Sequence, residues 1–170
     1  MTKYVAILGK PGAGKSTITK DLGFPVFSAG DLARKYLPTK ASQGLFVNQR
    51  RIAQLMSNEI KKHGNEVVIL EGTPLSLVTL DEYRKNGIDF SLAIYLQASD
   101  ALVKARLEQR GRDTDKKYMN RRLLSFKRKT LPLIKEFKKN QMLVLIRAGN
   151  SPDSIIPSIK KAIGKLIANN

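Results

Sequence analysis

The chain has 170 residues, of which 42% are hydrophobic, so it can bury the core of one folded domain and is not a disordered protein. It contains no cysteine, which excludes disulfides, thiolate chemistry and cysteine ligands for zinc. The formal charge of +17 predicts polyanionic ligands, and the sequence has neither a membrane-spanning apolar run nor a signal-peptide pattern. A soluble, cytoplasmic protein that binds no membrane is therefore expected.

Five short runs of β-forming residues alternate with helical patterns along the chain. Four of these runs are almost continuously apolar, which is typical of parallel strands covered by helices on both faces. The alternation predicts an α/β fold, with a doubly wound five-stranded parallel sheet flanked by helices. The predicted strands are residues 4–8, 26–28, 67–70, 91–96 and 143–147. The predicted helices are residues 15–21, 31–37, 48–62, 75–85, 100–110, 117–139 and 152–167.

The longest predicted helix, residues 117–139, has one apolar face, which indicates a core-packing role. Pro132 lies inside this helix. Because proline lacks a backbone N–H and crowds the preceding turn, we expect the helix to be kinked or divided there.

A glycine-rich segment lies directly between the first predicted strand and the first predicted helix. Residues 9–16 (GKPGAGKS) match the P-loop pattern G-x-x-x-x-G-K-[ST]. The glycines let the backbone curve around an anion and direct N–H groups toward it. Lys15 would bridge the β- and γ-phosphates of a nucleotide, and the Ser16 hydroxyl would bind Mg²⁺. The predicted nucleotide-binding residues are Gly9, Pro11, Gly12, Ala13, Gly14, Lys15, Ser16 and Thr17.

Four further motifs, in chain order, resemble those of the adenylate kinase family of nucleoside monophosphate kinases, and the resemblance covers nearly the whole chain. Residues 28–34 (SAGDLAR) are similar to the family's S-T-G-D-x-x-R segment. Residues 44–48 (GLFVN) look like the loop that lines the acceptor base. Residues 71–74 (EGTP) stand where the family has D-G-F-P-R, and residues 106–115 resemble the helix that leads into the lid.

The resemblance implies an acceptor site and a metal site. Arg34 would hold the phosphate of the nucleoside monophosphate, and Gly30, Asp31, Val47 and Gly72 would complete the acceptor site. Asp31 and Glu71 would hold Mg²⁺ through water, beside Ser16. The acceptor-binding insertion would span about residues 31–62 of a single domain, residues 1–170.

On the donor side, the resemblance implies that Arg106 stacks on adenine and that Arg110, Arg112 and Arg122 act on the phosphates as catalytic residues with Lys15. The lid would be short, about residues 110–117. The spacing leaves open whether Arg121 or Arg122 points inward.

Together the motifs imply an ATP- and Mg²⁺-dependent phosphotransferase that phosphorylates a nucleoside monophosphate. A monomer is expected. Right-handed crossovers and the resemblance give the sheet order 2-3-1-4-5. No general base is required, because a monophosphate oxygen is already an anionic nucleophile. Weak, non-specific nucleic-acid binding is a further expectation, since residues 104–139 contain 14 Lys and Arg against 4 acids.

The acceptor side departs from the family pattern. Leu75 replaces the arginine that grips the acceptor phosphate, and Thr79 aligns with the base-reading glutamine. Arg50 and Arg51 are candidates to replace the missing contact. Three alternatives therefore stay open: a kinase for another small acceptor or a nucleic-acid end, a nucleic-acid-associated ATPase, and a catalytically silent nucleotide-binding relative.

Overall fold

The computed structural model describes residues 1–38, 48–62, 64, 66–111, 113–149 and 151–168, and only the backbone of residues 113–117. In these ranges, strands and helices alternate along the chain as the sequence predicts. In chain order they are β1 (Lys3–Gly9), α1 (Lys15–Thr19), β2 (Val26–Ser28), α2 (Ala29–Tyr36), α3 (Gln49–Ile60), β3 (Val67–Glu71), α4 (Leu77–Lys85), β4 (Phe90–Gln97), α5 (Asp100–Arg110), α6 (Asp113–Ser125), a π-helical turn (Phe126–Thr130), α7 (Leu131–Lys139), β5 (Leu143–Arg147) and α8 (Pro152–Ala168).

The strands of the described residues form one parallel sheet in the order β2-β3-β1-β4-β5. This confirms the predicted α/β class, the five strands and their order. β1 lies in the middle, and the glycine-rich segment joins it to α1. Because all strands run in the same direction, the loops that follow them meet at the carboxyl edge of the sheet, where ligands bind in open α/β folds.

Alternate residues of β1 enter two separate hydrophobic cores, one on each face of the sheet. Val5 and Ile7 pack with apolar residues of α1, α5 and α8. Ala6 and Leu8 pack with apolar residues of α2, α3, α4 and α7. All four side chains are at most 1% exposed, so the central strand is a rigid support for the loop that follows it.

β5 differs from the prediction that its strand is covered on both faces. Among the described strands it pairs with β4 alone, and Leu145 at its centre is 52% exposed. Its apolar sequence does not reveal this, because an edge strand and a central strand of a parallel sheet can have the same composition.

The long predicted helix is divided, as Pro132 indicates. The π-helical turn immediately precedes α7, and Pro132 occupies the first turn of α7, where its missing N–H is tolerated. The prediction that the helix starts at residue 117 is wrong, because α6 already starts at Asp113. Within the described ranges, no helix is both long and apolar enough to cross a bilayer.

Candidate nucleotide-binding site

A cleft of about 920 Å³ opens at the carboxyl edge of the sheet. Its walls come from the loops after β1, β3 and β5 and from α2, α3, α5 and α6. Two predicted site residues, Val47 and Arg112, lie outside the described residues. The predicted site residues that line the cleft are Gly9, Pro11, Gly12, Ala13, Gly14, Lys15, Ser16, Thr17, Gly30, Asp31, Arg34, Glu71, Gly72, Arg106, Arg110 and Arg122.

Two glycines allow the phosphate loop to pack closely against β4 and α5. A Cβ atom on Gly9 would lie 2.9 Å from the carbonyl oxygen of Leu96. Gly12 has φ +79°, and a Cβ atom there would lie 3.0 Å from Cγ of Leu107. A larger residue at either position would push the loop away from the sheet, so these glycines fix its curvature.

Lys15 folds back over the phosphate loop. Its Nζ donates hydrogen bonds to the carbonyl oxygens of Gly9 (3.0 Å) and Lys10 (2.9 Å). Burial lowers the pKa of Lys15 to about 8; the Glu71 carboxylate opposes this shift, and the charges of Arg122 and Arg110 add to it. A phosphate in the cleft would add negative charge beside this poorly hydrated ammonium.

Glu71 is held at the end of β3 by a residue that sequence analysis missed. The Thr19 hydroxyl donates to Oε2 of Glu71 at 3.2 Å, and both side chains are buried. Thr19 lies four residues after Lys15 in α1, so the two share one helix face. That spacing is the signal that could have identified Thr19.

The oxygen donors Ser16, Asp31 and Glu71 line the same cleft. Magnesium takes few protein ligands and keeps several water molecules and phosphate oxygens. In the described part of the chain, no three acidic, histidine or cysteine residues cluster as a closed metal cage. The hydroxyl and carboxylate oxygens of these three residues are of the ligand type that magnesium takes in proteins.

Arg106 connects two loops at the carboxyl edge. Its guanidinium donates to the carbonyl of Ala13 in the phosphate loop (3.1 Å) and to the carbonyl of Ala148 after β5 (3.1 Å). Ala148 also lines the cleft, together with Pro152 and Ile155 of α8, which sequence analysis did not identify. A planar cation next to apolar side chains is suited to contact with a nucleotide base.

Two further arginines contribute positive charge to the cleft near Lys15. Arg110 lies at the end of α5 and Arg122 lies in α6. Arg122 is partly buried and lines the cleft, whereas its neighbour Arg121 is exposed. Of the two candidates that the spacing left open, Arg122 is therefore the one that faces the cleft.

Residues of α2, α3 and the loop after β3 also line the cleft. Arg34 forms an ion pair with Asp31 on α2, and the half-buried Leu75 lies in the loop after β3. Arg50 forms an ion pair with Glu82 of α4, with 3.4 Å between Nε and Oε1. Lining residues that sequence analysis missed are Gln49 and Ile52, three residues apart on α3, and Ser125 and Phe126.

Thr79 has a structural role that sequence analysis missed, because the helix was predicted to start at residue 75. α4 begins at Leu77 and not at residue 75, and Ser76 caps it. The Thr79 hydroxyl accepts hydrogen bonds from the N–H groups of Leu75 (3.0 Å) and Ser76 (2.9 Å), and the residue is only 4% exposed. Thr79 therefore belongs to a capping box and stabilises the loop that carries Leu75.

Comparisons with known proteins give one matching family model and several similar relatives. The family model described as an AAA domain matches residues 5–127. Adenylate kinase of Prochlorococcus marinus (strain MIT 9313) is 29% identical, over 96% of this chain and 100% of the relative. UMP-CMP kinase 1 of Oryza sativa subsp. japonica is 27% identical, over 95% of this chain and 74% of the relative.

Adenylate kinase isoenzyme 5 of Mus musculus is 28% identical over 98% of this chain. The chain spans only about a third of that relative's length, and the same holds for the human and bovine isoenzymes.

Proposed function

The chain belongs to the P-loop family described as an AAA domain and to the adenylate kinase family of nucleoside monophosphate kinases, and we propose that it transfers the γ-phosphoryl group of ATP to a nucleoside monophosphate. One observation carries the proposal. The phosphate loop, Lys15, Arg110, Arg122 and Arg34 all line the same cleft. Two phosphorylated ligands can therefore meet inside it.

In the proposed reaction, an acceptor phosphate oxygen bonds to the γ-phosphorus of ATP while the bond to the β-phosphate bridging oxygen breaks. The loop N–H groups and Lys15 bind the donor phosphates, and Arg34 orients the acceptor. Arg110, Arg122 and Arg112 neutralise the charge that spreads over the migrating group. Ser16, with Asp31 and Glu71 acting through water, would hold a magnesium ion, which would supply additional positive charge at the donor phosphates.

The proposal also assigns acceptor binding, water exclusion and contact with the donor base to different segments of the chain. Residues of about 31–62 bind the acceptor, with Gly30, Asp31, Val47 and Gly72 beside it, and residues of about 110–117 form a short lid that excludes water. The α5 residue Arg106 lies against the donor base. The protein acts as a cytoplasmic monomer.

An ADP-release screen tests the reaction. Purified protein is supplied with Mg·ATP and, in turn, AMP, CMP, UMP, GMP or dTMP, and ADP is measured with a coupled enzyme assay. We expect ADP release that depends on at least one monophosphate. Release at the same rate without any monophosphate would contradict the proposal and favour an ATPase.

Leu75 determines how well AMP is used. A charge-assisted phosphate contact is missing there, and restoring it with Leu75→Arg should lower the KM for AMP about tenfold. Leu77→Arg is the matched control, because Leu77 is 43% exposed and does not line the cleft. Equal effects of the two substitutions on KM would show that Leu75 does not face the acceptor phosphate.

A second candidate function, nucleic-acid association, is favoured by three consecutive exposed cations in the π-helical turn, Lys127, Arg128 and Lys129. Surface cations bind phosphates without reading bases. We expect affinity for single-stranded RNA to fall about a hundredfold from about 50 to about 200 mM salt. Fluorescence anisotropy measures this affinity.

The double substitution Arg128→Ala with Lys129→Ala should weaken RNA binding more than the control pair Lys160→Ala with Lys161→Ala on α8. Nanomolar, sequence-selective binding at physiological salt would contradict the expected weak association and make nucleic acid the principal ligand.

A further inference from the structure

One carboxylate outside the predicted site residues connects to the phosphate loop. Oδ1 of Asp100, the first residue of α5, lies 2.6 Å from Nζ of Lys10. The same ammonium donates to the carbonyl of Ala98 at 2.8 Å, and the Lys10 side chain is only 14% exposed. Lys10 is a variable position of the P-loop pattern, and its side chain points to α5.

The other oxygen of this carboxylate reaches a third element. Oδ2 of Asp100 lies 3.4 Å from Nζ of Lys127 in the π-helical turn. Hydrogen bonding from Lys10 is the main reason that the pKa of the Asp100 carboxyl lies below its usual value. A single side chain thus joins the phosphate loop to the segment that follows α6.

The ion pair of Lys10 with Asp100 affects the site because the backbone of Lys10 contacts the Lys15 ammonium. Its carbonyl oxygen accepts one of the two hydrogen bonds of the Lys15 ammonium, at 2.9 Å. The carbonyl of Gly9 accepts the other. The position of the Lys10 backbone therefore determines the position of the Lys15 ammonium before a nucleotide binds.

We propose that Asp100 is a positioning residue for the donor nucleotide, which fixes the phosphate loop and the Lys15 ammonium through the side chain of Lys10. A loop that is ordered beforehand loses less conformational freedom when it binds phosphate. The effect on phosphoryl transfer rests on the proposed function, whereas the effect on ATP binding requires only the phosphate loop.

A purely electrostatic role for Asp100 has the opposite consequence. A carboxylate near the cleft lowers the positive potential that attracts phosphates, so its removal would tighten ATP binding. A positioning role requires its removal to weaken ATP binding, because Lys10 and the loop lose their anchor. The sign of the change separates the two roles.

The test is a double-mutant cycle of Lys10→Met, Asp100→Ala and the combination, with Mg·ATP affinity measured by calorimetry. Each single substitution should weaken binding about tenfold, and the combination should be no weaker than the poorer single variant. Asp100→Asn retains an oxygen acceptor for Lys10 and should lose less affinity than Asp100→Ala. Circular dichroism identifies the variants that are folded at the assay temperature.

Two further variants complete the design. Asp81→Ala removes an exposed carboxylate of α4 that pairs with Arg84 at 3.6 Å, and it should leave ATP affinity unchanged. Lys127→Ala removes an exposed partner of Asp100 and should change ATP affinity less than about threefold. If Asp100→Ala or Lys10→Met does not fold, Asp100→Asn against Asp81→Ala still gives the sign of the effect.

Tighter ATP binding by the Asp100 variants, or additive losses in the cycle, would overturn the positioning role. Where transfer is measurable, kcat should fall together with ATP affinity, since Lys15 is displaced. A wild type that binds ATP but phosphorylates no monophosphate would refute the proposed function and leave the binding cycle as a valid test of Asp100.

Discussion

Replacement of Lys15 by Met should lower the turnover of phosphoryl transfer at least about a thousandfold, which corresponds to about 4 kcal/mol of transition-state stabilisation. Burial leaves the ammonium poorly hydrated, and it lines the same cleft as Arg110 and Arg122, so its positive charge can interact strongly with phosphate oxygens there. Methionine retains an unbranched apolar side chain as far as the Cε position and removes the ammonium group, with its charge and hydrogen-bond donors.

Steady-state assays with saturating ATP and the best monophosphate measure the loss. Lys135→Met, an exposed lysine of α7, removes the same charge and should retain wild-type turnover. Activity of Lys15→Met within tenfold of the wild type would show that Lys15 does not contribute to the transition state.

The same substitution should stabilise the ligand-free protein at neutral pH. Lysine has an ordinary pKa of 10.5, and burial lowers the pKa of Lys15 to about 8. Below pH 8 the side chain is charged in both the folded and unfolded states, so the folded state must bury a charge. This costs up to about 3.5 kcal/mol, at about 1.4 kcal/mol for each pH unit between the two pKa values.

The pH dependence of the stability difference between Lys15→Met and the wild type shows whether burial of the Lys15 charge causes it. Between pH 8 and 10.5 the unfolded chain binds a proton that folded Lys15 has released, so the stability of the wild type rises with pH relative to Lys15→Met. The free energy of unfolding of Lys15→Met, measured by urea denaturation, should therefore exceed that of the wild type, by the most near pH 7 and by less toward pH 10. This difference in stability is the advantage of the variant. An advantage that is constant with pH, or equal to that of Lys135→Met, would exclude burial of the Lys15 charge as its cause.

Much of the fold was predictable because its signals are local. The apolar runs of β1, β3 and β4, the glycine pattern before Lys15 and the position of Pro132 each specify local structure without knowledge of the other elements. Right-handed crossovers, together with the resemblance to the adenylate kinase family, give the sheet order.

The remaining features depend on contacts between distant residues. Thr19 with Glu71, and Lys10 with Asp100, are separated by 52 and 90 residues, and no spacing in the sequence pairs them. The alignment of Thr79 with the base-reading glutamine was misleading, because position in the sequence does not distinguish a base-reading side chain from a helix-capping one. The partial exposure of Leu145 likewise depends on the position of its strand at the sheet edge.

The destination of the γ-phosphorus tests the proposed reaction most directly. ATP labelled at the γ-phosphate is incubated with the protein, Mg²⁺ and each monophosphate, and the labelled products are separated by chromatography. We expect the label to appear in a nucleoside diphosphate only when a monophosphate is present. With Lys15→Met, the labelled diphosphate should be lost. Label that appears only as inorganic phosphate, at a rate independent of the monophosphate, would contradict phosphoryl transfer to a nucleotide.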